Sequence, residues 1–191
     1  MARPREFDEA HVLDRALELF WSKGYEATSI QDLVDVTGLG RASLYGAFGD
    51  KDAIFQRVLE HYMAQVPTVA EEIDSTLPFK EGLEKMLRAR ISSTCSRSGP
   101  RGCFLQIAGT ARDDTPGARE MLLASLAHAE KYFEKAITLA QARREIDPKR
   151  DPASMARLLV VLIQGLATAA RAGWGRERLS SVIDEVVSSL G

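Results

Sequence analysis

The residue types best suited to recognition chemistry gather between positions 28 and 51. Arg41 carries a planar guanidinium that can fork onto a guanine edge or a phosphate. Tyr45 can donate its hydroxyl to a phosphate. Thr28 and Lys51, together with the backbone N–H groups that open two helices, suit phosphate oxygens. Gly38-Leu39-Gly40 supplies a tight turn between two short apolar-periodic segments, the pattern of a helix-turn-helix. In that motif the second helix enters the major groove with its N-terminal residues toward base edges, which places Arg41, Ala42, Ser43, Tyr45 and Gly46 near DNA. Leu44 and Phe48, four apart, form its buried side. Two packed helices with no DNA function would give the same pattern. Arg41 alone also reads as a solvated cation, and Tyr45 alone as half-buried packing.

A second chemistry belongs to Cys103, which follows Gly99-Pro100-Arg101-Gly102 and opens a short apolar segment. A thiol near a helix start and cations such as Arg97 and Arg101 gains thiolate character. The competing reading is a small core hydrophobe, since free cysteines are commonly buried and Leu105 and Ile107 enter the core. Cys95, eight residues earlier, is a resolving partner only if the loop folds back. His11, His61 and His128 sit in separate helices without metal-ligand spacing. The chain has no phosphate-cradling Gly-rich loop, no C-x-x-C and no G-x-S-x-G. The expectation is therefore no enzyme, no cofactor and no metal, with a Cys–His enzyme as the rival to test.

These groups ride on helices. Asp8 is an N-cap candidate, with Phe7 and Val12 as a hydrophobic staple across it. Leu13, Ala16, Leu17 and Phe20 recur at helical spacing, and Gly24 can end that helix. Thr28 with Gln31 reads as a capping box, and Gly38 stops the short helix behind it. Asp50 caps a helix that begins at Lys51 and must end by Pro67. Longer helices follow: residues 78–96, a short segment over 103–111, then 117–144, 153–172 and 176–190, with loops at 98–102, 113–117 and 146–152. Residues 158–163 are apolar on every side, which reads as a stretch buried all round. Gly165, Ala169 and Ala172 add a small-residue stripe, read either as ordinary core or as a seam for a second helix.

Composition narrows the class. The 191 residues are 45% hydrophobic and 27% charged, ordinary for a globular chain and far from collagen or bulk disorder. The N-terminus lacks an apolar stretch, two cysteines make no disulfide framework, and a cytoplasmic setting without membrane contact is expected. The net charge is −2, and residues 1–65 hold 7 Lys and Arg against 11 Asp and Glu, a net of −4. A DNA binder usually shows the opposite sign. DNA binding must then rest on a few well-placed cations.

Residues 16–25, 28–34, 37–45 and 48–54 together resemble the TetR/AcrR family of bacterial repressors, in register over about 50 residues. The motifs that carry this are Ala16-Leu17-Glu18-Leu19-Phe20, Thr28-Ser29-Ile30-Gln31-Asp32-Leu33-Val34, Thr37-Gly38-Leu39-Gly40-Arg41-Ala42-Ser43-Leu44-Tyr45 and Phe48-Gly49-Asp50-Lys51. Arg101-Gly102-Cys103 resembles a subset of that family, in some of whose members this cysteine senses oxidants or electrophiles.

The resemblance implies an all-α chain of about nine helices. An N-terminal three-helix helix-turn-helix domain (residues 1–50) is joined by a linking helix (51–76) to a helical ligand-binding and dimerisation domain (51–191). It implies a ligand-responsive repressor that binds a palindromic double-stranded operator as a homodimer. Thr28, Arg41, Ala42, Ser43, Tyr45 and Lys51 would face DNA. Gly46-Ala47 stands where many members carry Tyr or His, which puts more weight on Arg41, Tyr45 and an arm bearing Arg3 and Arg5. The last two helices would form the dimer seam through Leu158, Leu162, Gly165, Ala169, Ala172, Val182 and Val186. Met86, Ile91, Cys103, Phe104, Ile107, Leu122, Leu126 and Trp174 are the candidates for a pocket taking a small apolar or thiol-reactive inducer.

Overall fold

A computed structural model describes residues 7–95, 102–111 and 115–190, and all of their side chains except those of 70 and 71. Among the described residues the chain is helical with no strand. The elements are α1 (Glu9–Lys23), α2 (Ile30–Thr37), α3 (Arg41–Phe48), α4 (Lys51–Gln65), α5 (Val69–Glu72), α6 (Phe79–Thr94), α7 (Phe104–Gly109), α8 (Ala118–Ala142), α9 (Pro152–Arg171) and α10 (Arg176–Ser189). Nine of these match the helices read from the sequence. The addition is α5, a single turn. Arg3, Arg5, Arg97 and the loop positions 98–101, 113 and 114 lie outside the described residues.

The chain divides into two compact units: Met1–Val66 with Ile107–Met121, and Pro67–Gln106 with Leu122–Gly191. The first unit thus runs through α4, whereas the sequence reading placed the boundary after residue 50. The reason is burial. Ile54, Phe55, Val58, Leu59 and Tyr62 of α4 are all in the core, and the Phe55 ring meets Phe20 of α1 edge-on at 5.0 Å. Each such side chain contributes roughly 1.5–3 kcal/mol by leaving water. Leu33 of α2 and Leu44 of α3 are fully enclosed, which fixes the short pair against α1 and α4. Phe7 places its ring 5.8 Å from that of Phe48.

Local chemistry sets the helix starts. The Asp8 carboxylate accepts from the N–H groups of Ala10 and His11. The capping box of α2 is Ser29 with Asp32, not Thr28 with Gln31. The Ser29 hydroxyl accepts from Asp32 N–H at 3.1 Å, and the Asp32 carboxylate accepts from Ser29 N–H at 2.7 Å. Asp50 caps α4 through Ala53 N–H at 2.9 Å. Gly38 ends α2 in the left-handed region at φ 69°, which the tight turn requires.

In the second unit, α6, α9 and α10 pack on one another. Buried residues of α9 fall on one face: Met155, Ala156, Leu159, Ile163, Leu166 and Ala170. Phe133, Ile137 and Ala140 of α8 join the same core. Glu145 supplies the missing cap of α6, its carboxylate accepting from Phe79 N–H at 2.8 Å. The Arg90 guanidinium pairs with Glu72 and so holds α5 against α6, while burial pushes the Glu72 carboxyl above its usual value. Both α8 and α9 end in a Schellman motif with a left-handed residue: Gly173 after α9, and a non-glycine, Arg144 at φ 61°, after α8.

The stretch 158–163 is not buried all round. Leu158 is 50% exposed and Val161 67% exposed, on the face of α9 opposite the core. A wholly apolar run reads as fully enclosed, but here two of its side chains are left at the surface. α9 has the length and mean hydropathy (1.6 over its most apolar window) of a membrane span. Its apolar residues instead divide between the core of this unit and that exposed strip.

Candidate nucleic-acid interface

The turn at residues 38–40 and α3 present a short exposed helix start. Arg41, Ala42, Tyr45, Gly46 and Ala47 are exposed, Ser43 is half-buried, and Leu44 and Phe48 are buried beneath them. Five of the DNA-facing positions expected from sequence thus lie together on one short helix.

Capping distinguishes α3 from its neighbours. The starts of α1, α2 and α4 each carry a carboxylate: Asp8, Asp32 and Asp50. Gly40, which precedes α3, has no side chain to offer, and no acidic residue stands in the first turn. The partial positive charge of that helix start is therefore not offset by a capping or first-turn carboxylate of its own. The sequence reading also expected phosphate oxygens at the starts of α2 and α4. There, one helix N–H each is already taken: the Ser29 hydroxyl accepts from Asp32 N–H and the Asp50 carboxylate from Ala53 N–H.

The cations divide in the same way. Among the described residues of the first unit, Arg15 pairs with Glu18, Lys23 with Asp32 and Arg57 with Glu9. Arg41 and Lys51 pair with no carboxylate. Arg41 donates from Nη2 to Gln31 Oε1 at 3.5 Å. Lys51 Nζ donates to the Glu26 carbonyl at 3.5 Å and lies 4.2 Å from the centre of the Tyr25 ring. The Tyr25 hydroxyl donates to Asp52. Burial, then the hydrogen bond to Asp52, raises the Tyr25 phenol above its ordinary value, so it remains a donor at neutral pH. Among described residues 7–66, net negative in charge, Arg41 at the start of α3 and Lys51 at the start of α4 are thus left without a carboxylate partner.

Thr28 departs from expectation. It is 1% exposed, and its hydroxyl donates to the Gly24 carbonyl at 2.6 Å. The proton a phosphate would need is already used, so Thr28 fixes the approach to α2. Sequence reasoning missed Gln31 and Asp35, whose side chains meet at 2.9 Å on the exposed face of α2. Their i, i+4 spacing was the available signal.

The remaining candidates scatter. Met86, Ile91, Phe104 and Leu122 are buried, while Leu126 and Cys103 are half-buried. Ile107 belongs to the first unit. Trp174 is 37% exposed on the α9–α10 turn, with the Arg178 guanidinium 4.1 Å from its ring centre. On α9, Leu158 and Val161 are exposed with Gly165 and Ala172, and Leu162 and Ala169 are half-buried beside them. Val182 and Val186 of α10 are half-buried. A Cβ on Gly165 would meet nothing within 4 Å. Among the described residues no group of His, Cys, Asp and Glu side chains is placed to hold a metal ion.

Comparison with known proteins follows this geometry closely. Residues 12–58 match the family model for bacterial regulatory proteins of the tetR family, and residues 80–186 match that of the tetracyclin repressor-like C-terminal domain. The HTH-type transcriptional repressor ComR of Escherichia coli (strain K12) is 32% identical over 94% of this chain and 87% of its own length. The HTH-type transcriptional repressor BdcR of the same strain is 30% identical over 93% and 86%. A solved structure of the TetR-family regulator CifR, a cysteine mutant complexed with 26-base-pair operator DNA, superposes with a TM-score of 0.82 at 26% identity. It covers 99% of this chain and 100% of that one.

Proposed function

The chain belongs to the TetR family and is a DNA-binding transcriptional regulator, not an enzyme; from that premise we propose that it is a homodimeric repressor released from a palindromic operator by a small inducer. The observation that supports the DNA reading is that Arg41, first residue of an exposed and uncapped α3, and Lys51, first residue of α4, form no ion pair among the described residues. In this reading Arg41 reads a base edge and Tyr45, Ser43 and Lys51 hold phosphates. Ala42 and Gly46 let the groove wall come close, and Arg3 and Arg5 add an arm. Work on chromosomal DNA places the protein in the cytoplasm.

The strip of Leu158, Val161, Leu162, Gly165, Ala169 and Ala172 supports pairing of α9 with its copy, with Val182 and Val186 of α10 beside it. Two copies joined this way would hold their α3 helices about 34–36 Å apart, one turn of duplex. The inducer is proposed as a small apolar or thiol-reactive molecule taken up by the C-terminal domain near Cys103. It would act by preferring a conformation with a different α3 separation. Selection of bound sequences from a random duplex pool tests the whole reading. A palindrome with two matching half-sites is expected, and recovery of no common sequence would sink it. In the same assay Arg41→Ala should weaken operator binding by roughly 1–3 kcal/mol and flatten the preference at one base pair per half-site. A loss equal across all sequences would instead assign Arg41 to phosphate.

A further inference from the structure

Arg41 is the first residue of α3, and among the described residues its guanidinium donates to the side chain of Gln31 of α2. Gln31 is held in turn. Its Nε2 donates to Asp35 Oδ1 at 2.9 Å, one helical turn further along α2. A carboxylate at neutral pH only accepts, so it fixes which end of the Gln31 amide faces it. The amide nitrogen must turn to Asp35, and the carbonyl oxygen must turn away, where Arg41 Nη2 meets it at 3.5 Å. All three side chains are at the surface, so the relay does not serve to fill the core.

We infer that Gln31, held by Asp35, is a positioning residue that aims the Arg41 guanidinium at its base. The inference deepens the proposed function and rests on the assignment of Arg41 to a base edge. An unsupported arginine on a helix start samples many rotamers, and ordering it costs part of the contact it makes. A neutral carbonyl can bias one rotamer without cancelling the charge that DNA must meet. A carboxylate at position 31 would hold the guanidinium more strongly but would compete with the base. The guanidinium has five N–H groups, so one hydrogen bond to Gln31 still leaves a fork for guanine.

The test is selection from a random duplex pool with the full chain, followed by titration of the selected operator and its single-base variants. Wild type, Gln31→Met, Asp35→Asn, Arg41→Ala and the Gln31→Met/Arg41→Ala double variant are compared. Methionine keeps the length and helix preference of glutamine and removes the carbonyl. Gln31→Met should reduce discrimination at the base pair that Arg41 reads by roughly 2- to 10-fold, the range of one hydrogen bond. Its melting temperature and the slope of affinity with salt should match wild type. The double variant should discriminate no worse than Arg41→Ala alone. Asp35→Asn can present either end of its amide to Gln31, so it should lose part of the discrimination with no loss of affinity for random duplex. Unchanged discrimination in Gln31→Met, alongside a flattened position in Arg41→Ala, overturns the inference and leaves the base assignment standing. A loss at a different base pair also overturns it, since Gln31 would then contact DNA itself. If Arg41→Ala flattens no position, the base assignment fails, and the inference fails with it.

Discussion

The exposed faces of α3 and α9 are built by opposite omissions. On α3 the chain withholds carboxylates: Gly40 supplies no cap, and neither Arg41 nor Lys51 is paired with an acid. On α9 it withholds polarity and bulk, leaving Leu158, Val161, Gly165 and Ala172 exposed in a row. Both faces carry one glycine inside a helix, Gly46 and Gly165, where an added Cβ would meet nothing in the same chain. A glycine in a helix interior costs about 1 kcal/mol relative to alanine. An added Cβ would clash with nothing at either position, so the packing of its own unit does not call for the glycine.

The largest effect is expected from Val161→Glu. A carboxylate on the α9 strip should give folded monomers, and operator affinity should fall by roughly 10²- to 10⁴-fold because the second half-site is no longer tethered. Sedimentation equilibrium decides the matter. A variant that remains dimeric places the seam elsewhere.

Lys51→Ala set against Arg15→Ala tests the electrostatic half. Lys51→Ala should weaken binding uniformly across sequences and make the dependence on salt shallower by about one phosphate. Arg15, already paired with Glu18, should leave the salt dependence unchanged. Equal slopes for the two variants would remove Lys51 from the interface.

Gly46→Ala and Gly165→Ala separate the two faces more finely. Gly46→Ala should stabilise the free protein by up to about 1 kcal/mol and weaken operator binding. Gly165→Ala should leave the operator half-site unchanged and loosen the dimer. Thermal melts and sedimentation on both variants would show whether the effects stay on their own faces.

The smallest effect is in acid. Lys23 first, then Ser29, holds the Asp32 carboxyl below its usual value, and His61 does the same for Asp14. A carboxyl lowered in the folded state contributes stability that is fully present above its unfolded value of about 3.9. That stability is lost as pH falls below this value toward the folded one. Melts between pH 5 and 2 should show the wild type losing stability faster than Asp32→Asn. Parallel curves would mean that the Lys23–Asp32 pair adds nothing.

Much of the interface was legible in sequence because turns and caps are local. Gly38-Leu39-Gly40, the periodic Leu13, Ala16, Leu17 and Phe20, and Asp8 and Asp50 marked the helices within a residue or two. The capping box was misplaced by one position because Thr28 and Ser29 are both suitable caps, and the carboxylate that answers is Asp32. Thr28 has the residue type of a phosphate donor, but its hydroxyl already donates to the Gly24 carbonyl. The turn α5 left no periodic trace in four residues, and its hold on the fold comes from the buried Val69 and from Arg90, eighteen positions beyond Glu72. Residues 158–163 misled because hydrophobicity alone does not say whether the covering surface is in the same chain. The end of α8 gave no glycine signal, since Arg144 takes a conformation that Gly or Asn favours, and the chain contains no Asn.

The carboxylates that cap α1, α2 and α4 bear on how the protein moves through a genome. Random duplex greatly outnumbers operator, and a strongly basic protein spends most of its time on it. Here residues 1–65 are net negative, and in the proposed reading the attraction rests on Arg41, Lys51 and the arm bearing Arg3 and Arg5. Its stays on non-operator sequence should be short, and its search should run more by hopping than by sliding. After release it should clear the neighbouring duplex quickly, so that the lag between signal and transcription is set by departure from the operator alone.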